Sequence, residues 1–309
     1  MTLKKYKTLF GVLAVLLVAL VTGVAVGKIY VDSIPVNIIL NATEAELRDS
    51  DEIIEELVER SKKENPTAFT AVELYEIAEY NFNQKDAYYK TSNGRAINLV
   101  GAQTLRSYRL LRDGEFVFDN LSPGMIDVCT RVRYTVGEET ATRNTEGKYT
   151  DSSKTKGSFD SAYDEEYTLE EYYEKFNCYP TSGVTYLIST KTCPEDACSK
   201  VTKTSNGNYT FTISLSGTYL AAAAYRYSYE IFYTSYGVLT SEAKENIILP
   251  AWEDMKMTVV IDENFDFVEI SYDENYKVNT KFGYQSVNDV FTEKFVFDVE
   301  QMPLLEEVL

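Results

Sequence analysis

The chain has no histidine, one tryptophan, four cysteines and seven prolines in 309 residues. Without histidine there is no Ser-His-Asp or Cys-His nucleophile and no imidazole metal ligand. Basic residues are also scarce: 30 lysines and arginines stand against 48 acids, a net charge of −18. No basic stripe exists to meet phosphate, so nucleic acid is excluded as a partner. There is no glycine-rich phosphate loop either, and the sequence implies no cofactor and no metal. What is abundant is tyrosine, 25 residues, beside 15 phenylalanines. That content suits β-strands and amphipathic surfaces, and the acidity suits a solvated, crowded exterior.

No charge interrupts Thr8–Gly27, between Lys7 and Lys28. About 20 such residues span roughly 30 Å as a helix, the thickness of a bilayer core. Lys4, Lys5 and Lys7 precede the run and acidic sequence follows it. The positive-inside rule therefore predicts a cytoplasmic tail over 1–7, a signal-anchor helix over 8–27 and the remainder outside. A cleaved signal peptide ending at Ala25-Val26-Gly27 is the alternative, although its apolar region is usually about 7–15 residues. The expected location is the plasma membrane, single-pass, with the bulk extracytoplasmic.

Cys129, Cys178, Cys193 and Cys198 all lie in the exported part. An even count in an oxidising compartment favours disulfides. Three pairings are possible; the favoured one is Cys193–Cys198 as a local clip and Cys129–Cys178 as a long-range bridge. A four-thiolate zinc site is the alternative, without the paired Cys-x-x-Cys spacing of zinc ribbons. The x4 spacing of Cys193 and Cys198 also departs from the x2 redox motif.

Along the exported chain, Asp32–Asn41 reads as a linker and Asp49–Asn65 as a helix, capped by Asp49 and closed by Pro66. A second helix starts at Thr70, with Glu73 completing a capping box and Phe69 and Leu74 placed as a hydrophobic staple. From Lys85 the period becomes two. Asn93-Gly94, Asp113-Gly114, Asn206-Gly207 and Glu263-Asn264 predict four hairpin turns, hence a large antiparallel sheet. Gly137–Asp164, rich in Ser, Thr and Gly, predicts a long mobile excursion, followed by a helix over Thr168–Phe176 with a Thr168/Glu171 capping box. "TYLAAAAYRYSYEIFYTSYG" is two-sided: Tyr225, Tyr227, Tyr229 and Ile231 alternate like a strand, but the alanine run favours a helix. As a helix it places Tyr225, Tyr229, Phe232 and Tyr236 on one face, with Arg226 and Glu230 an outward i,i+4 pair.

Candidate chemistry is thin. Asp262, Asn264 and Asp266 mimic the start of a calcium loop, but Phe267 stands where that loop needs glycine, and a simple turn fits better. Ser153 and Ser189 have no lysine partner motif. Paired carboxylates could run glycoside hydrolysis, yet 48 acids offer no way to single out a pair. Sequons at Asn41, Asn120 and Asn208 are read as chance. The stripe Tyr225, Tyr229, Phe232 and Tyr236 reads either as helix-on-sheet packing or as the lining of a groove for an apolar molecule.

The order of elements — a helix, long hairpins with "GAQTLRSYRLLRDGEFVFDNLS" among them, an aromatic helix, then "MKMTVVIDENFDFVEISYDENYKV" — resembles the lipoprotein-carrier (LolA-like) superfamily. It is also similar to one-pass surface proteins of Gram-positive bacteria built on that plan. The resemblance covers about Thr70–Phe297. It implies a curved antiparallel half-barrel closed by helices, with acyl chains bound in the concavity, and carries over no site residue beyond the aromatic stripe.

The expected fold is therefore α+β: an N-terminal transmembrane helix, then a curved antiparallel half-barrel packed with a few helices. The expected divisions are 28–66 linker and helix, 67–300 ectodomain and 301–309 tail. The expected function is a non-catalytic envelope protein binding a lipid, another apolar molecule or another envelope protein. The alternative is an extracytoplasmic, carboxylate-dependent hydrolase.

Overall fold

A computed structural model of the protein describes residues 43–98, 101–123, 128–137, 140–150, 165–176, 183–236, 249–280 and 283–308. The helices among them are α1 (Glu44–Leu47), α2 (Asp51–Ser61), α3 (Ala71–Asn83), α4 (Leu169–Phe176), α5 (Gly217–Ala223), α6 (Tyr225–Tyr236) and α7 (Leu305–Val308). The strands are β1 (Tyr88–Asn98), β2 (Gly101–Arg112), β3 (Glu115–Pro123), β4 (Val128–Gly137), β5 (Thr140–Thr150), β6 (Glu165–Thr168), β7 (Thr202–Lys203), β8 (Tyr209–Ser216), β9 (Ala251–Ile261), β10 (Phe267–Thr280) and β11 (Gly283–Val296). The run Thr8–Gly27 and the linker Asp32–Asn41 lie outside the described residues. Among those described, no helix is long and apolar enough to cross a membrane.

The fold is α+β. Eleven strands form one sheet in the order β6-β5-β4-β3-β2-β1-β11-β10-β9-β8-β7, with every pairing antiparallel. Two meanders, β1–β6 and β7–β11, are thus joined where the first strand pairs with the last. Helices α3 and α5 pack on β8–β10, and α4 packs on β5 and β6.

Local chemistry explains most element ends. Thr70 and Glu73 form the capping box of α3, with Glu73 N–H donating to Thr70 Oγ1 at 3.2 Å and Thr70 N–H to Glu73 Oε2 at 2.7 Å. Phe69 and Leu74 are both buried, as a staple requires. Thr168 and Glu171 repeat the box at α4. Asp113 and Gly114 both take positive φ, 55° and 81°, as a tight hairpin turn demands. Asp262 Oδ1 accepts from the backbone N–H groups of Asn264 (2.8 Å) and Asp266 (3.0 Å), so this stretch is a side-chain-tied turn.

Three expectations fail. Asn93-Gly94 is not a turn but the middle of β1, where Gly94 opposes Phe291 of β11. A Cβ at Gly94 would lie 2.2 Å from the Val290 carbonyl oxygen and 2.3 Å from Phe291 Cβ. The glycine serves close strand approach, a role that shares its sequence signature with turns. Gly137–Asp164 is not wholly an excursion, since Thr140–Thr150 is β5, where threonine's branched Cβ outweighs the polar composition. Finally, Ser50 rather than Asp49 precedes α2. Asp49 instead accepts from Thr190 N–H at 2.8 Å and Thr190 Oγ1 at 2.6 Å.

Candidate functional site

The ambiguous tyrosine segment is helical, as α5 and α6 meeting at Ala224. Tyr225 (1 % exposed) and Tyr229 (7 %) are buried with ring centroids 6.0 Å apart. The side chains of Phe232 and Tyr236 lie outside the described part of the structure. Arg226 does not point to solvent. Its guanidinium bonds both carboxylate oxygens of Glu44 and lies 3.6 Å from Glu79, which Arg48 also reaches at 3.0 Å. Burial alone would raise the Glu44 carboxyl, but Arg226 and Arg48 outweigh it and bring it down to about 2. The outward i,i+4 reading misses this because the partners lie more than 140 residues away in sequence.

The more unusual chemistry lies on the covered face of the sheet. Alternation along β10 turns Ile270, Tyr272, Glu274 and Tyr276 inward, and along β11 Val287, Asp289, Phe291, Glu293 and Phe295. The register puts Glu274 directly opposite Asp289. A bulge between the Asn275 and Tyr276 pairings turns Trp252 of β9 inward beside Tyr276, with rings 4.9 Å apart. Tyr227 of α6 meets Trp252 at 5.6 Å, and Tyr186 meets Tyr227 at 5.7 Å and Tyr272 at 5.5 Å. Tyr186 belongs to the irregular segment 183–193, which the Tyr75 hydroxyl and Ala223 hold by bonds to backbone at Tyr186 and Leu187.

Inside this aromatic enclosure the acids differ in partners. Glu293 is paired: it accepts from Lys90 Nζ at 2.5 Å, from Thr185 Oγ1 at 3.1 Å and from the Tyr272 hydroxyl at 3.1 Å. Asp289 Oδ2 accepts from the Tyr276 hydroxyl at 2.5 Å, while Oδ1 has no hydrogen-bond partner among the described residues. Glu274 is fully buried, and neither oxygen is hydrogen-bonded among the described residues. The Tyr186 and Tyr227 phenols approach it and favour its charged form, but neither reaches bonding geometry. Burial, then the charge of Asp289, holds the Glu274 carboxyl well above the ordinary range, so it is a neutral acid. Burial likewise raises Asp289, to about 6, with Tyr276 partly opposing. A neutral acid facing a carboxylate is the arrangement of a general acid–base pair. Here, however, Glu274 has no exposure and Asp289 has 3 %.

A second acid pair joins Asp49 to Glu76 of α3. Burial, then Asp49 beside it, pushes Glu76 up to about 9, while hydrogen bonds from Glu76 and Thr190 outweigh burial to hold Asp49 low.

The structure brings Cys193 and Cys198 together across the Glu195–Ala197 turn, with sulfurs 3.4 Å apart, in contact as thiols without a bond between them. The backbone of Cys129 lies in β4, but its side chain, and the whole of Cys178, fall outside the described part.

No protein-family model matches the chain, and no curated protein does. Among solved structures, GphF dehydratase 1 aligns over 73 % of this chain and 84 % of its own, at 11 % identity and TM-score 0.13. The dehydratase domain from the CurK module of curacin polyketide synthase aligns over 74 % and 82 %, at 11 % identity and TM-score 0.15. Such TM-scores carry no argument about the fold or the activity of this chain.

Proposed function

We propose that the protein is a membrane-anchored, extracytoplasmic, non-catalytic envelope protein whose sheet, read as a half-barrel, holds an apolar molecule on its aromatic face. The carrying observation is the continuous aromatic enclosure of Tyr186, Tyr227, Trp252, Tyr272, Tyr276 and Phe291. Binding sites for small apolar molecules are lined mainly by such rings with a few convergent polar groups. The uncharged run Thr8–Gly27 behind three lysines supports the anchor, and the lipoprotein-carrier resemblance supports the ligand class.

The second reading, a carboxylate-dependent hydrolase, draws on Glu274 facing Asp289. Among the described residues both carboxyls are buried, Glu274 at 0 % exposure and Asp289 at 3 %, and most of the rings around them are buried as well.

Trp252 is the only tryptophan and stands inside the enclosure, so its fluorescence reports on occupancy. Titration of the purified protein with a long-chain fatty acid should change its emission saturably, and native mass spectrometry should find the same stoichiometry. No response to fatty acid, detergent or hydrophobic dye would reject the apolar ligand. Protease treatment of intact protoplasts should digest the bulk of the chain; protection would reject the topology.

A further inference from the structure

Cys193 and Cys198 differ in surroundings although their sulfurs touch. Cys193 is buried and Cys198 is half-buried. Between them Pro194 leads a short turn, Glu195–Ala197, and the residues after it secure the edge of the sheet. Cys198 forms a β-bridge with Ile213 of β8. Ser199 N–H donates to the Thr212 carbonyl at 2.8 Å, and Thr212 N–H donates to Ser199 Oγ at 2.8 Å. Beyond the two-residue β7, this strap covers the outer edge of β8, whose sequence "YTFTISLS" is rich in strand formers and would otherwise offer unpaired backbone groups.

The geometry points to a reversible dithiol–disulfide couple in which Cys198 exchanges with an external disulfide, Cys193 resolves, and closure locks the strap on the β8 edge. The chemistry is thiol–disulfide exchange with a glutathione-class oxidant. Cys198 loses its proton and its thiolate attacks one sulfur of the external disulfide, releasing one thiolate and leaving a mixed disulfide on Cys198. Cys193, losing its proton, then attacks Cys198 Sγ and expels the second thiolate. One disulfide is made and one consumed, so two protein thiols are oxidised and one external disulfide is reduced to two thiols. The contact between the two sulfurs supports this order: it lowers the Cys198 thiol, while the same contact and burial raise Cys193. In an exported protein the couple meets the oxidant in its own compartment, which is where the inference touches the proposed location; the exchange itself is testable without it.

The test uses the full chain in a glutathione redox buffer, with peptide mapping to separate these cysteines from Cys129 and Cys178. The wild type is expected to yield the Cys193–Cys198 disulfide with no lasting adduct. Cys193→Ser should trap a glutathione adduct on Cys198, and Cys198→Ser should leave Cys193 unmodified while circular dichroism reports an intact fold. Hydrogen exchange at Ser199 and Thr212 should slow on oxidation. A wild type that stays a dithiol in oxidised glutathione, or an adduct trapped on Cys193 instead, overturns the couple; unchanged exchange at Ser199 and Thr212 overturns the lock. Protection of the chain in protoplasts would reject the location alone.

Discussion

Replacing Asp289 by asparagine separates the cost of a buried charge from the packing around it. Asp289 Oδ2 accepts from Tyr276, and an asparagine carbonyl keeps that bond at nearly the same volume. Its ionised form is disfavoured by burial and faces Glu274 from β10, with Tyr227 of α6 also near. The carboxyl moves from an ordinary 3.8 to about 6 on folding. Because the folded pKa is the higher one, the folded state holds the extra proton between these values. Stability is therefore fully present below about pH 4 and is lost as pH rises towards about 6. At about 1.36 kcal/mol per unit over roughly two units, the loss is about 3 kcal/mol, a large part of a typical domain's stability.

The side chain of the Asp289→Asn variant cannot ionise, so the variant lacks this loss. Urea unfolding of both proteins across about pH 4 to 7, at constant m, should give near-equal stabilities at the acid end. The variant should be more stable by about 3 kcal/mol at the neutral end. Glu274 also becomes easier to ionise once the facing charge is gone, which does not change the sign. A difference between the two proteins that is flat with pH would refute the reasoning, and so would a gap that widens towards acid.

Lys90→Met leaves Glu293 buried without its cation and should destabilise by roughly 3–5 kcal/mol, with Lys90→Met/Glu293→Gln recovering part in a double-mutant cycle; equal single and double losses would contradict the pair. Gly94→Ala drives a methyl into the Val290 carbonyl and should cost at the upper end of about 1–3 kcal/mol by thermal or urea unfolding; a neutral effect would show that β1 and β11 can separate.

The fold was legible wherever the information is local. Thr70 with Glu73, Thr168 with Glu171 and Asp113 with Gly114 each carry their structural instruction within four residues, and each forms as read. Gly94 shows where locality misleads. Asn-Gly is the strongest short hairpin signal, yet here the glycine answers to Phe291, nearly 200 residues later. Nothing in "YYKTSNGRAINLV" distinguishes a glycine that turns the chain from one that lets another strand come close. The same limit placed Arg226 outward, on a pattern four residues long, while Glu44 and Glu79, far away in sequence, hold it at the helix interface.

The enclosed acids were illegible for a related reason, although a signal was present. In "ISYDENYKV" three consecutive polar residues, Asp273, Glu274 and Asn275, look like a solvated turn. Strand alternation splits them: Asp273 and Asn275 share Asn288 on the outer face, while Glu274 goes inward between Tyr272 and Tyr276. A Tyr-x-Glu-x-Tyr pattern on a strand therefore signals a polar residue in an aromatic face. What it could not supply was the opposite number, because pairing Glu274 with Asp289 depends on the β10–β11 register. Two acids, each ordinary among 48, have their carboxyls raised only when that register seals them under the same aromatic cover.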